Sequence, residues 1–200
     1  MNPSSKINGL IELCPQVFND ERGGFYESFN EDFFGNIFGR TVRFRQDNHS
    51  ISKNGVIRGM HFQLKRPQAK LVRVVVGEIF DVAVDLRIGS PTFGKWCGFN
   101  LSSNNRKQLF IPEGFAHGFA ALSDVAEVLY KVTEYWDSND DNCLNWNDPT
   151  VGVVWPNRSQ PILSKKDQNG ISLEICVKKI TENYIGDVSN KRLIKCVCGM

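Results

Sequence analysis

From Val42 to Trp155 the apolar residues recur mostly at every second position. Only extended strands satisfy that period, because successive side chains of a strand point to opposite faces. In "LVRVVVGEIFDVAVDLRIGSPTFG" two apolar runs flank Gly77-Glu78, and in the second Phe80, Val82, Val84 and Leu86 alternate with Asp81, Ala83, Asp85 and Arg87. The spacing predicts one face packed in a core and the other free to carry polar groups. Further strand-like runs are "GFYESF", "VRFRQDNHS", "KWCGFNLS", "KQLFIP", "HGFAALS", "AEVLYKVTEYW" and "GVVWP", with Gly-Ser-Pro, Ser-Ser-Asn-Asn and Pro-Glu-Gly turns between them. Many short strands so spaced imply an all-β sandwich or small barrel. A chain of 200 residues, 41% hydrophobic, is most simply one core plus a tail.

Helices are few. "NEDFFGNIFG" has Asn30 as cap, Glu31 and Asp32 in the first turn, and Phe33, Phe34, Ile37 and Phe38 as an apolar stripe. "LSKKDQNG" starts a second short helix with Ser164 as cap. After about Leu173 the charges follow no clean period, so the expected organisation is one domain over residues 1–175 and a C-terminal appendage over 176–200. The net charge of +2 is spread along the chain without a basic block, which argues against nucleic acid and for a small ligand. No run of 18 apolar residues exists, and "MNPSSKINGLIEL" lacks the features of a signal peptide. A soluble cytoplasmic protein without membrane partners is expected. The six cysteines form no CxxC pair, so neither a disulfide framework nor a zinc site is suggested.

The chain has only three histidines, and His61 in "GVIRGMHFQ" is the one set in an apolar run. A buried, singly satisfied imidazole is the plain alternative. Arg58, three residues earlier, falls on the opposite face of an ideal strand unless Gly59 introduces a bulge. His117 in "IPEGFAHGF" lies on another predicted strand, and two such histidines can meet inside a barrel. Metal-binding cupins typically carry two histidines one residue apart. Here Gln63 stands two after His61, so the ligand set is incomplete and no metal is expected.

"DERGGFYESF", "FRQDNHSISKNGVIRGMHFQ", "AKLVRVVVGEIFDVAVDLRIGSPTFGKW", "IPEGFAHGF", "LYKVTEYW" and "LSKKD", in this order over roughly residues 10 to 170, resemble the successive motifs of the dTDP-4-dehydrorhamnose 3,5-epimerase family. The resemblance implies a cupin-like double-stranded β-helix jelly roll, a homodimer exchanging a strand, no metal or organic cofactor, and a dTDP-linked 4-keto-6-deoxyhexose as substrate. Epimerising carbons 3 and 5 of a 4-keto sugar requires a base, an acid across the ring and a cation or donor at the enolate oxygen. An imidazole, with an ordinary pKa of about 6.5, suits the base. By resemblance His61 is that base, Asp167 orients its ring, Lys70 is the cation and Tyr130 the opposite-face donor. Arg22 and Arg58 match diphosphate partners; Glu27, Gln46 and Asn48 match positions lining the nucleotide and sugar site; His117 matches a second pocket histidine. Arg22 and Glu27 are implied to come from the neighbouring subunit. The loop "FQLKRPQA" is about one residue shorter than the family's usual form. Single-position epimerases, a non-catalytic sugar-binding cupin and a metal-dependent cupin are the alternatives carried forward.

Overall fold

The computed structural model describes residues 7–38, 41–156 and 160–184. Two five-stranded antiparallel sheets face each other as a jelly roll. The first has the order β1 (Ile11–Leu13), β9 (Gln108–Ile111), β6 (Lys70–Val76), β11 (Val125–Val132), β4 (Gln46–Lys53). The second has the order β12 (Asn142–Cys143), β5 (Ile57–Phe62), β10 (Phe115–Ala121), β7 (Glu78–Asp85), β8 (Trp96–Ser102). A separate hairpin, β2 (Phe18–Asp20) and β3 (Gly23–Phe25), precedes helix α1 (Glu31–Phe38). Asn30 caps α1 through its side-chain oxygen, which accepts from the Phe33 N–H at 3.2 Å. Phe34 and Phe29 seat it on Leu71 and Phe110, the outer face of the first sheet.

The two faces of β7 do not divide into core and solvent as its alternation predicts. Ile79 and Ala83 point into the space between the sheets, with Val72, Val74, Leu109 and Val128. Val82, Val84 and Leu86 point outwards, yet they are equally buried, under Leu144, Trp155, Leu173 and Cys176. The cover is the C-terminal part of the chain, including a helix over residues 173–184, here α3. The sequence showed no clean period there, but Leu173, Cys176 and Ile180 make a helical stripe against the second sheet. The expected boundary between residues 175 and 176 therefore falls inside a helix packed on the barrel; residues 185–200 lie outside the described residues. Among the described residues no helix is long and apolar enough to cross a membrane.

Because both faces of β7 are covered, its acidic residues are buried: Asp81 and Asp85 are each fully inaccessible. Asp85 accepts from Arg87 Nε at 2.9 Å and Nη2 at 2.8 Å, Ser90 Oγ at 2.6 Å and Thr92 Oγ1 at 2.7 Å. Burial alone would raise its carboxyl, but these donors outweigh it and hold the value at about 2, against an ordinary 3.8. Since the folded value is the lower one, the stabilisation is full above the ordinary value and is lost as pH falls towards 2. The gap corresponds to about 2 kcal/mol. Asp85→Asn is expected to lose stability of that order at pH 7 and to unfold with a flatter pH dependence between 4 and 2. Denaturant unfolding across that range checks it; a variant keeping the wild-type slope would assign acid sensitivity elsewhere.

Candidate active site

Antiparallel register decides which side chains meet inside the barrel. Lys70 is opposite Val132, which is opposite Gln46; Val72 is opposite Tyr130, which is opposite Asn48. Cross-strand partners and residues two apart share a face, so Lys70, Tyr130, Gln46 and Asn48 project together from the first sheet. From the second sheet, His61 on β5 is opposite His117 on β10. Between these sheets lies a cavity of about 340 Å³ whose lining includes Gln46, Asn48, His61, Lys70, Tyr130 and Trp136.

The Gly59 bulge is present. Arg58 pairs with Phe119 and His61 with His117, so two residues of β5, Gly59 and Met60, stand against the single Gly118. Because positions 117 and 119 share a face, the bulge turns Arg58 to the side of His61. A Cβ on Gly59 would lie 2.6 Å from the Gly118 Cα and from the His117 carbonyl oxygen, so glycine is required for this close approach. Arg58 donates to Ser52 Oγ and to the Ile51 carbonyl, each at 2.9 Å, and its charge reaches Tyr130. It does not line the cavity itself.

His61 Nε2 lies 2.6 Å from Asp167 Oδ1. An ionised carboxylate only accepts, so Nε2 carries the proton and Nδ1 is left as the ring nitrogen that can take one. Asp167 sits in α2 (Lys165–Gln168), where its N–H donates to the Ser164 cap at 3.1 Å and its Oδ2 accepts from Ser164 Oγ at 2.8 Å. Burial would raise Asp167, but hydrogen bonds from His61, Ser164 and the Gly59 backbone hold it below the ordinary carboxylate value. The bulge thus serves the dyad from both sides.

Lys70 is buried, with Nζ 3.5 Å from the His61 carbonyl oxygen. Desolvation pushes its ammonium down to about 8, partly offset by the charges of Asp81 and Asp141, so it remains mostly protonated at pH 7. Tyr130 is pushed up, first by burial and also by Asp141, against the opposing charge of Arg58; its hydroxyl keeps its proton. His117 donates from Nε2 to both oxygens of Asp81, at 3.0 and 2.9 Å. Burial, with Lys70 and His61 nearby, drives it down despite Asp81, so it is neutral. It stands behind the cavity and is not in its lining.

Arg22 and Glu27 are not in the lining of this cavity. Arg22 pairs with Asp20 on the exposed hairpin, and Glu27 accepts from Asn30 Nδ2 at 3.2 Å. Sequence reasoning missed Trp136, whose backbone N–H donates to Gln46 Oε1 at 3.0 Å, and Asp141, which pairs with Lys166 beside Asp167. It missed Asp81 as the partner of His117. The only signal for Asp81 was an acid between the apolar Phe80 and Val82 inside a strand. A second, apolar groove of about 650 Å³ lies between the loop around Leu64 and Pro67 and the end of α3, and holds none of the predicted residues.

A family model described as dTDP-4-dehydrorhamnose 3,5-epimerase matches residues 4–174. The dTDP-4-dehydrorhamnose 3,5-epimerase of Pseudomonas aeruginosa is 53% identical over 164 residues, which is 82% of this chain and 91% of that protein. A dTDP-4-dehydrorhamnose 3-epimerase of Streptomyces niveus is 40% identical over 168 residues, covering 84% of this chain and 81% of its own. Among solved structures, a dTDP-6-deoxy-D-glucose-3,5-epimerase from Legionella pneumophila in complex with dTDP-4-keto-L-rhamnose superposes with a TM-score of 0.85 at 44% identity, covering 88% of this chain and 93% of that one.

Proposed function

The chain belongs to the dTDP-4-dehydrorhamnose 3,5-epimerase family, and on that premise we propose how its cavity carries out the reaction. It epimerises carbons 3 and 5 of dTDP-4-dehydro-6-deoxy-D-glucose, giving dTDP-4-dehydro-L-rhamnose. His61 Nδ1 removes a proton alpha to the ketone, and Asp167 stabilises the imidazolium that forms. The Lys70 ammonium offsets the charge that develops on the enolate oxygen, where burial makes a single positive charge most effective. Tyr130 returns a proton from the other side of the ring. The same set acts at each carbon in turn. The observation that carries this assignment is that base and donor project from facing sheets into one cavity, so a ring between them meets one on each face.

Arg58, Gln46 and Asn48 hold the nucleotide end, and His117, neutral and anchored by Asp81, supports the sugar side of the pocket. The reaction is tested by incubating the protein with the 4-keto substrate in deuterated water and following it by NMR. Deuterium at both carbons is expected; label at one carbon alone would make this a single-position epimerase like the Streptomyces niveus relative, and label at neither would remove the chemistry.

Arg22 and Glu27 act in the partner's site of a homodimer. Supporting this are the hairpin's exposed Phe18 and Phe25, the position of β4 at an open sheet edge with Ile51 exposed, and the absence of both residues from the cavity lining of their own chain. Sedimentation at micromolar concentration is expected to give twice the mass of one chain. A fully active monomer would contradict the assignment.

A further inference from the structure

Three side chains with metal-binding donors converge behind the cavity wall from three elements: His61 on β5, Cys143 on β12 and Asp167 on α2. Their donor atoms all lie within 4.8 Å of one another. Cys143 Sγ is 3.7 Å from Asp167 Oδ1, the same oxygen that His61 Nε2 meets at 2.6 Å. Cys143 and His61 are direct cross-strand partners in the register of β12 and β5, so their separation is set by the sheet. Around a tetrahedral ion with metal–ligand distances of about 2.0 to 2.3 Å, neighbouring donors stand roughly 3.3 to 3.8 Å apart. Small side-chain displacements bring the trio to that spacing.

The proposed epimerisation assigns Cys143 no step, and it is the residue that turns a histidine–carboxylate dyad into a three-donor set. One imidazole, one thiol and one carboxylate suit a borderline-soft ion such as Zn²⁺, not Mg²⁺ or Ca²⁺. Charge fits as well. A dication with one thiolate, one carboxylate and a neutral imidazole is neutral overall, which a buried position favours. His61 lines the cavity, whereas Cys143 and Asp167 are buried behind it.

We propose that His61, Cys143 and Asp167 form an inhibitory site for zinc-class divalent ions, whose occupation switches the epimerase off. The inhibition follows from the ring's tautomer, and it rests on the assignment of His61 as base. In the working dyad the proton is on Nε2 and the lone pair on Nδ1. An ion bound at Nε2 takes that nitrogen's lone pair, so the single proton of the neutral ring sits on Nδ1, and nothing facing the sugar can accept another. Binding displaces the Cys143 thiol proton to solvent, as coordination of a thiol ordinarily does. The ion is a brake and takes no part in turnover.

The test uses full-length protein stripped with chelator, Co²⁺ as the spectroscopic probe and buffered free Zn²⁺ as the inhibitor. Co²⁺ is expected to give a thiolate-to-metal charge-transfer band that Cys143→Ala abolishes. Zn²⁺ is expected to lower turnover reversibly, with chelator restoring it. Cys143→Ala should keep the metal-free turnover yet need at least about tenfold more zinc for the same inhibition. Should the alanine variant fold poorly, Cys143→Ser carries the same comparison with the side chain's size kept. Absence of a Cys143-dependent band, or equal zinc sensitivity in wild type and variant, overturns the site. A Cys143-dependent band with turnover unaffected by zinc also overturns the inhibitory site, while turnover of His61→Asn measured without metal tests the base separately.

Discussion

Replacing His61 with asparagine is expected to lower turnover by about two to four orders of magnitude, the range a general base supplies. Asparagine has no basic nitrogen, and its amide ends about where Nδ1 stands, so Asp167 loses the His61 partner but keeps those from Ser164 and the Gly59 backbone, which hold α2 in place. Neither of the other histidines can stand in. His49 pairs with Glu127 at 2.9 Å on β4, and His117 is buried with its Nε2 on Asp81. Affinity for dTDP, proposed above to rest on Arg58, Gln46 and Asn48, should change little, so the loss should appear in kcat with binding intact. NMR rates alongside calorimetric dTDP binding give both quantities. A variant that turned over at near the wild-type rate would take His61 out of the mechanism.

Tyr130→Phe separates the two halves of the reaction. The ring still packs against the inner core, as Tyr130 does now, and only the acid is deleted. His61 can still remove a proton and return a solvent-derived one to its own face, so deuterium should continue to enter the substrate. Formation of inverted product should fall by about two to four orders of magnitude. Exchange without inversion is a result that no general loss of folding produces. If the variant inverted both centres at near the wild-type rate, the opposite-face donor would be water or another side chain, and the two-wall arrangement would have to be abandoned.

The strand content was legible because burial of alternate residues leaves a period-two signature, as in β11, where Ala126, Val128 and Val132 are buried. The caps of α1 and α2 were legible too, since Asn30 and Ser164 act on backbone N–H groups within their own turns. The motif letters His61, Lys70, Tyr130 and Asp167 could be matched one by one. For α3 the difficulty was that Leu173, Cys176 and Ile180 form a narrow stripe among charges, a weak signal without the sheet it covers.

What the sequence by itself determined is local: which segments extend, where they turn, and which residue types are available for proton transfer. Only the tertiary structure decided the relations that make them a site. Alternation says that Asp81 and Val82 face opposite ways, but not which way is inward; the layer formed by Trp155 and α3 on the outer side settles that, and turns Asp81 towards His117. A one-residue bulge at Gly59, opposite Gly118, is what brings Arg58 round to the side of His61, since the period of two makes facing depend on odd or even count. Asp167 lies 106 residues from His61 and Cys143 lies 24 from Asp167. Those contacts have no local signature, because they are fixed by sheet register and by the closing of one sheet over the other.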